Sequence, residues 1–114
     1  MNTETQEYKE FTRTTAIYPM QFPYNFYYLT LGLTSEAGEV AGKLKKFMRD
    51  DATGSKVTEE QKEKLLSELS DVVWYTVRLL DELGLDIEDA MEHNTQKLAS
   101  RKERGVLGGS GDNR

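Results

Sequence analysis

Four acidic residues carry the chemistry this chain most readily offers. Glu36 and Glu39 stand three residues apart, as do Glu68 and Asp71, and Tyr75 follows the second pair one turn on. Residues three apart share one face of a helix, so each pair turns two carboxylates the same way. At about 100° per residue, Glu36 and Glu39 lie about 60–120° round from Leu33. Lys43 and Lys46 continue that flank. Glu68, Asp71 and Tyr75 share one side, the two acids about 100–160° round from Leu69. Antiparallel pairing of the two helices would bring the carboxylates together at the margin of the core. Converging carboxylates resist ionising together, and a bound cation removes the repulsion. All-oxygen ligands favour a hard ion, Mg²⁺ or Mn²⁺, over zinc. Mg²⁺ leaves coordination positions to water and substrate phosphate, so an acidic pocket can still recruit a polyanion. The alternative is solvated surface, since acidic i, i+3 pairs are frequent on charged helices.

The elements that must position these acids are all helical. Thr3 with Gln6 has the form of a capping box. Tyr8, Phe11 and Thr15 then recur at helical spacing, which predicts a first helix over 4–16. Pro19 and Pro23 bracket a short connection. After it, Phe26, Leu29, Leu33, Ala37, Val40, Leu44 and Phe47 step by three or four residues, an amphipathic stripe. The stretch Asp50–Lys56, with Gly54 and Ser55, has turn chemistry. Thr58 with Gln61 repeats the capping pattern, and Leu65, Leu69, Val72, Val73, Thr76, Leu80 and Leu83 keep the period until Gly84 ends it. Asp86 is placed to cap a fourth helix reaching about Glu103. No segment alternates with period two for long enough to build a sheet. The prediction is an all-α fold, an antiparallel bundle of about four helices completed by homo-oligomerisation. Residues 1–104 form the domain and 105–114 a glycine-rich tail.

Composition narrows the class. The chain has 114 residues, of which 37% are hydrophobic and 31% charged. That suits one domain, with a modest core that a second copy could help to complete. No apolar run approaches the roughly 20 residues of a membrane span, and no secretory signal is visible, so a cytoplasmic setting is expected. The absence of cysteine excludes thiolate zinc sites and cysteine nucleophiles. A single histidine, His93, leaves little scope for a multi-histidine site. The net charge of −5 argues against nucleic acid as a partner, because that affinity rests on neutralising phosphates. A ferritin-like di-iron site is set aside, since such sites use Glu-x-x-His pairs and the chain has none.

The stretch Leu31-Gly32-Leu33-Thr34-Ser35-Glu36-Ala37-Gly38-Glu39-Val40-Ala41-Gly42-Lys43 resembles the first motif of the MazG-like all-α nucleoside triphosphate pyrophosphohydrolases. Glu68-Leu69-Ser70-Asp71-Val72-Val73-Trp74-Tyr75 resembles their second. In the pattern E-E-x-x-E followed by E-x-x-D, Glu36 and Glu39 match the second and third glutamates, and Glu68 and Asp71 the closing pair. Ser35 stands in the first position, which bears on how many ions are held.

The resemblance implies Mg²⁺-dependent hydrolysis of a nucleoside triphosphate, often deoxy or noncanonical, to the monophosphate and pyrophosphate, in the service of nucleotide-pool control. It implies Glu36, Glu39, Glu68 and Asp71 as metal ligands, with one glutamate as an alternative general base. Asn94, Lys97 and Arg101 fall at i, i+3, i+7 and resemble the family's phosphate-binding face. Lys43 and Lys46 are further candidates for the triphosphate, or else solvated lysines. Tyr75, on the acidic flank, is the leading candidate for substrate contact. Tyr18, Phe22, Tyr24, Phe26, Tyr27 and Tyr28 offer rings that stack on a base or, for most of them, pack in a core or interface. Trp74 is expected in the core. The tail reads either as a disordered end or as a loop closing over the phosphates. A homodimer or homotetramer is expected, and the alternative function is a catalytically weak or inactive nucleotide-binding oligomer with a regulatory role.

Overall fold

The computed structural model describes residues 3–50 and 56–114, which form four helices and no strand among the described residues. These are α1 (Thr3–Thr14), α2 (Tyr24–Asp50), α3 (Glu59–Glu82) and α4 (Ile87–Glu103). Most of the expected turn after Asp50 lies outside the described residues. The local signals act as their chemistry dictates. Thr58 caps α3, with its hydroxyl accepting from Gln61 N–H and the Gln61 side chain accepting from Thr58 N–H. Gly84 takes φ +75°, which a side chain would resist, just after the Leu83 C-cap. Asp86 caps α4, and its N–H donates to Asp89 Oδ2 at 2.8 Å. Helix α1 starts at Thr3 and stops at Thr14, so Thr3 is its first residue and the helix ends two residues short of expectation.

Packing is concentrated between α2 and α3, with α1 laid against α3. Asn25 meets Glu82, Gly32 faces Tyr75, Glu36 approaches Asp71 and Lys43 meets Glu68. One number rises as the other falls, so the pair is antiparallel. The core is thin. Among the described residues Tyr18, Leu29, Phe47 and Val77 are its buried apolar members, each worth about 1.5–3 kcal/mol when fully enclosed. Leu69 and Val73, expected on the inner stripe, are half-exposed instead. They border an apolar groove of about 350 Å³ with Tyr8, Leu66 and Ser70. Helix α4 packs sparsely on the other helices and is tied at its root by Lys9 to Asp86 and by Thr5 to Glu88. The radius of gyration is 17.3 Å, against about 13 Å for a compact chain of this length.

The tail folds back on the end of α4. Asp112 accepts from Arg101 at 3.1 Å and lies 3.9 Å from Lys97. Arg104 donates to the Arg114 carbonyl at 2.8 Å, while the Arg114 guanidinium donates to the carbonyls of Val106, Leu107 and Gly111. Gly105, Gly109 and Gly111 supply the positive φ values this path needs.

Candidate active site

The antiparallel α2–α3 pair sets acidic residues from both helices against each other. Glu36, Glu68 and Asp71 each offer a carboxylate oxygen, and these atoms lie within 4.8 Å of one another. Loss of solvent and the neighbouring charges of Asp71, Glu68 and Glu39 push the Glu36 carboxyl above its ordinary value. Among the described residues Lys43 is the cation paired with these acids, its Nζ 3.9 Å from Glu68. Three oxygens at this spacing, short of neutralising cations, fit a divalent ion held by carboxylates. Glu39 is exposed and outside this group of three, though close enough to bear on Glu36.

Beside the acids lies a cleft of about 400 Å³, lined by Phe11, Thr15, Ile17, Tyr18, Tyr28, Glu36, Asp71, Trp74 and Tyr75. Its rings form a closed circuit. Tyr18 stacks on Tyr28 with centroids 5.4 Å apart, and Tyr28 neighbours Tyr75 at 6.4 Å. Tyr75 meets Trp74 edge-on at 4.9 Å, and Trp74 meets Tyr18 edge-on at 6.4 Å. Tyr75 reaches this position because α2 has no side chain at Gly32. A Cβ built there would lie 2.1 Å from Tyr75 Cε1.

Of the residues the sequence singles out, Glu36, Glu68, Asp71, Lys43 and Tyr75 are thus gathered in one place. Lys46 is exposed on α2 beyond it. Asn94, Lys97 and Arg101 do not line this cleft; Lys97 and Arg101 face Asp112 of the tail, and Arg101 is buried there. Trp74, expected in the core, is only half-buried and forms part of the cleft wall, its indole N–H donating to Thr15 Oγ1 at 2.8 Å. Phe11, Thr15 and Ile17 were not anticipated. Only the polar end of Trp74, which calls for a partner when buried, pointed toward them.

Comparison with known proteins shows the family. Residues 25–106 match the profile of the MazG nucleotide pyrophosphohydrolase domain. The chain is also similar to the Gene 37 protein of Mycobacterium phage L5, with 46% identity over 87 residues, covering 76% of this chain and 75% of that protein. No solved structure matches. The matched span holds α2 from Asn25 on, α3, α4 and all the acids named above, and leaves α1 and the connection that carries Tyr18 outside it.

Proposed function

Since the chain belongs to the MazG nucleotide pyrophosphohydrolase domain family, we propose that it hydrolyses a nucleoside triphosphate, deoxy or noncanonical, to the monophosphate and pyrophosphate. The observation that carries this reading is the meeting of three carboxylates with a ring-lined cleft that shares Glu36 and Asp71. One end suits a metal-bridged triphosphate and the other a flat base, which any aromatic face can stack upon. Tyr75 sits between the two ends.

In this reaction water attacks the α-phosphorus, the bond to the bridging oxygen breaks, and pyrophosphate leaves with that oxygen. Glu39, a turn from Glu36 and outside the group of three, is the glutamate left to take the proton of the attacking water. Glu36, Glu68 and Asp71 would hold a divalent ion, Mg²⁺ or Mn²⁺, which would supply neutralising charge to the phosphates and the departing pyrophosphate. Lys43 adds a positive charge at the same end. For Lys97 and Arg101 a phosphate role calls for Asp112 to give up its place to the substrate, with Asn94 orienting them. Because α4 stands off its own bundle, that face meets a cleft most directly when copies associate. The half-exposed Leu66, Leu69 and Val73, and Met91 and Leu98 on α4, support such self-association into a dimer or tetramer.

Among the described residues no helix is long and apolar enough to cross a membrane. Ser35, in place of a first glutamate, favours one second reading, a nucleotide binder with weak or no turnover. Incubating the protein with each canonical, deoxy and modified triphosphate and Mg²⁺, with and without chelator, separates the two. Chelator-sensitive pyrophosphate release supports the hydrolase, and none from any substrate refutes it.

A further inference from the structure

The proposed chemistry makes no use of a hydrogen-bonded run that ends on two rings of the cleft. At its centre is Arg78, 5% exposed. Its charge is met by Asp81 at 2.5 Å and Glu82 at 3.5 Å. Arg78 Nε donates to Tyr18 Oη at 3.2 Å and Nη1 to Thr12 Oγ1 at 3.4 Å. Tyr18 Oη in turn donates to Glu82 Oε1 at 2.6 Å. Thr12, fully buried, presents its carbonyl to the N–H and hydroxyl of Thr15 at 3.2 and 3.1 Å. Thr15 Oγ1 then receives the Trp74 indole N–H.

We propose that Arg78, acting through Tyr18 and through Thr12 and Thr15, positions the Tyr18 and Trp74 rings and thereby sets which base the cleft accepts. Arg78 is not among the residues that line the cleft and acts only through them, so it is a positioning residue. A ring free to turn yields to bases of many shapes. A ring fixed at its polar end presents one wall, and buried polar groups resist being unpaired. The Thr12–Tyr18 segment lies outside the residues matched to the family, 25–106. Arg78, inside the matched span, therefore ties that segment to the matched domain. The inference rests on a nucleotide occupying the cleft.

Trp74 is the sole tryptophan, so its emission reports on this wall directly. The experiment titrates the full chain in Mg²⁺ with α,β-imido analogues of the common deoxynucleoside triphosphates. Thr15→Val and Tyr18→Phe each remove one tether while keeping side-chain bulk. Each should weaken binding of the preferred analogue about three- to tenfold, the size of one net hydrogen bond, and reduce the discrimination between bases. Thr15→Ser should restore both. The Mg²⁺ concentration for half-maximal turnover should not move. Arg13→Met supplies the control for mere knitting of α1 to α3, because Arg13 binds Asp81 at 2.7 and 2.8 Å without touching a ring. It should lower stability and leave affinity and preference unchanged. Wild-type affinities in both tether variants, failure of Thr15→Ser to restore, or an equal loss in Arg13→Met would each overturn the proposal. A wild-type chain that binds no analogue sinks the nucleotide reading and takes this inference with it, and that titration tells the two failures apart.

Discussion

Gly32→Ala tests the geometry at its tightest point. The new Cβ would lie 2.1 Å from Tyr75 Cε1, 2.4 Å from Cζ and 2.7 Å from Cδ1. Carbon atoms in contact prefer about 3.5–4.0 Å, so the ring must retreat by about 1.5 Å. Trp74 lies against it at 4.9 Å and Tyr28 at 6.4 Å, which limits the directions open to it. Overpacking of this kind costs about 1–3 kcal/mol. Replacing a mid-helix glycine by alanine returns about 0.5–1 kcal/mol, which leaves a net destabilisation of up to about 2.5 kcal/mol. Displacement of the ring should matter more for the site, since a misplacement near 1 Å can cost about 10²-fold in rate. Urea unfolding gives the first quantity, and pyrophosphate release the second. Gly42→Ala is the control, because nothing lies within 4 Å of its added Cβ; it should gain the helix term and keep wild-type turnover. A Gly32→Ala protein stabilised as much as Gly42→Ala, with unchanged KM and kcat, would refute the placement of Tyr75 against α2.

Further expectations concern the metal, the charges and the exposed face. Glu36→Gln or Asp71→Asn should abolish Mg²⁺-dependent turnover and the Mg²⁺-induced rise in Tm, while the metal-free fold holds or gains stability as repulsion falls; full rates in both variants would count against the assignment. The Arg13 guanidinium, with help from Arg78, holds the Asp81 carboxyl well below the usual carboxylate range. Its unfolded value is about 4, so the stability it contributes is complete above that pH and is lost as pH falls below it. A Tm profile from pH 6 to pH 2 should therefore be shallower for Asp81→Asn than for wild type. Light scattering should give a mass that is a multiple of 13.0 kDa, and Leu69→Glu should shift the protein toward the monomer.

Much of this was legible because it is local. Thr58, Gly84 and Asp86 act within a turn of where they stand, and the i, i+3 acids needed only the helical period to share a face. What periodicity does not encode is what covers a face. Leu69 and Val73 fit the apolar stripe, yet the single chain leaves them half-exposed, because the stripe specifies burial without naming the partner. Arg78 lies about 180° round from Leu69, off that stripe, and is nonetheless buried. Asp81 and Glu82, three and four residues on, were visible in sequence, whereas Tyr18 and Thr12 lie 60 and 66 residues away. Trp74 was expected in the core, and its indole N–H, which draws it to Thr15, was the detail that periodicity overlooks. Helix α4 is tied to α1 by the Lys9–Asp86 ion pair together with Thr5 and Glu88, long-range contacts that no pattern announces.

That ion pair gives α1 two unrelated duties. Near its start Thr5 and Lys9 grip the root of α4, and just past its end Thr15 holds Trp74. At 12 residues the helix is marginal by itself, so it persists only while docked. Detachment of this one strut would release α4 and slacken the cleft in the same event. Hydrogen exchange should accordingly find α1 amides opening as a unit, with the Trp74 indole proton losing protection in step.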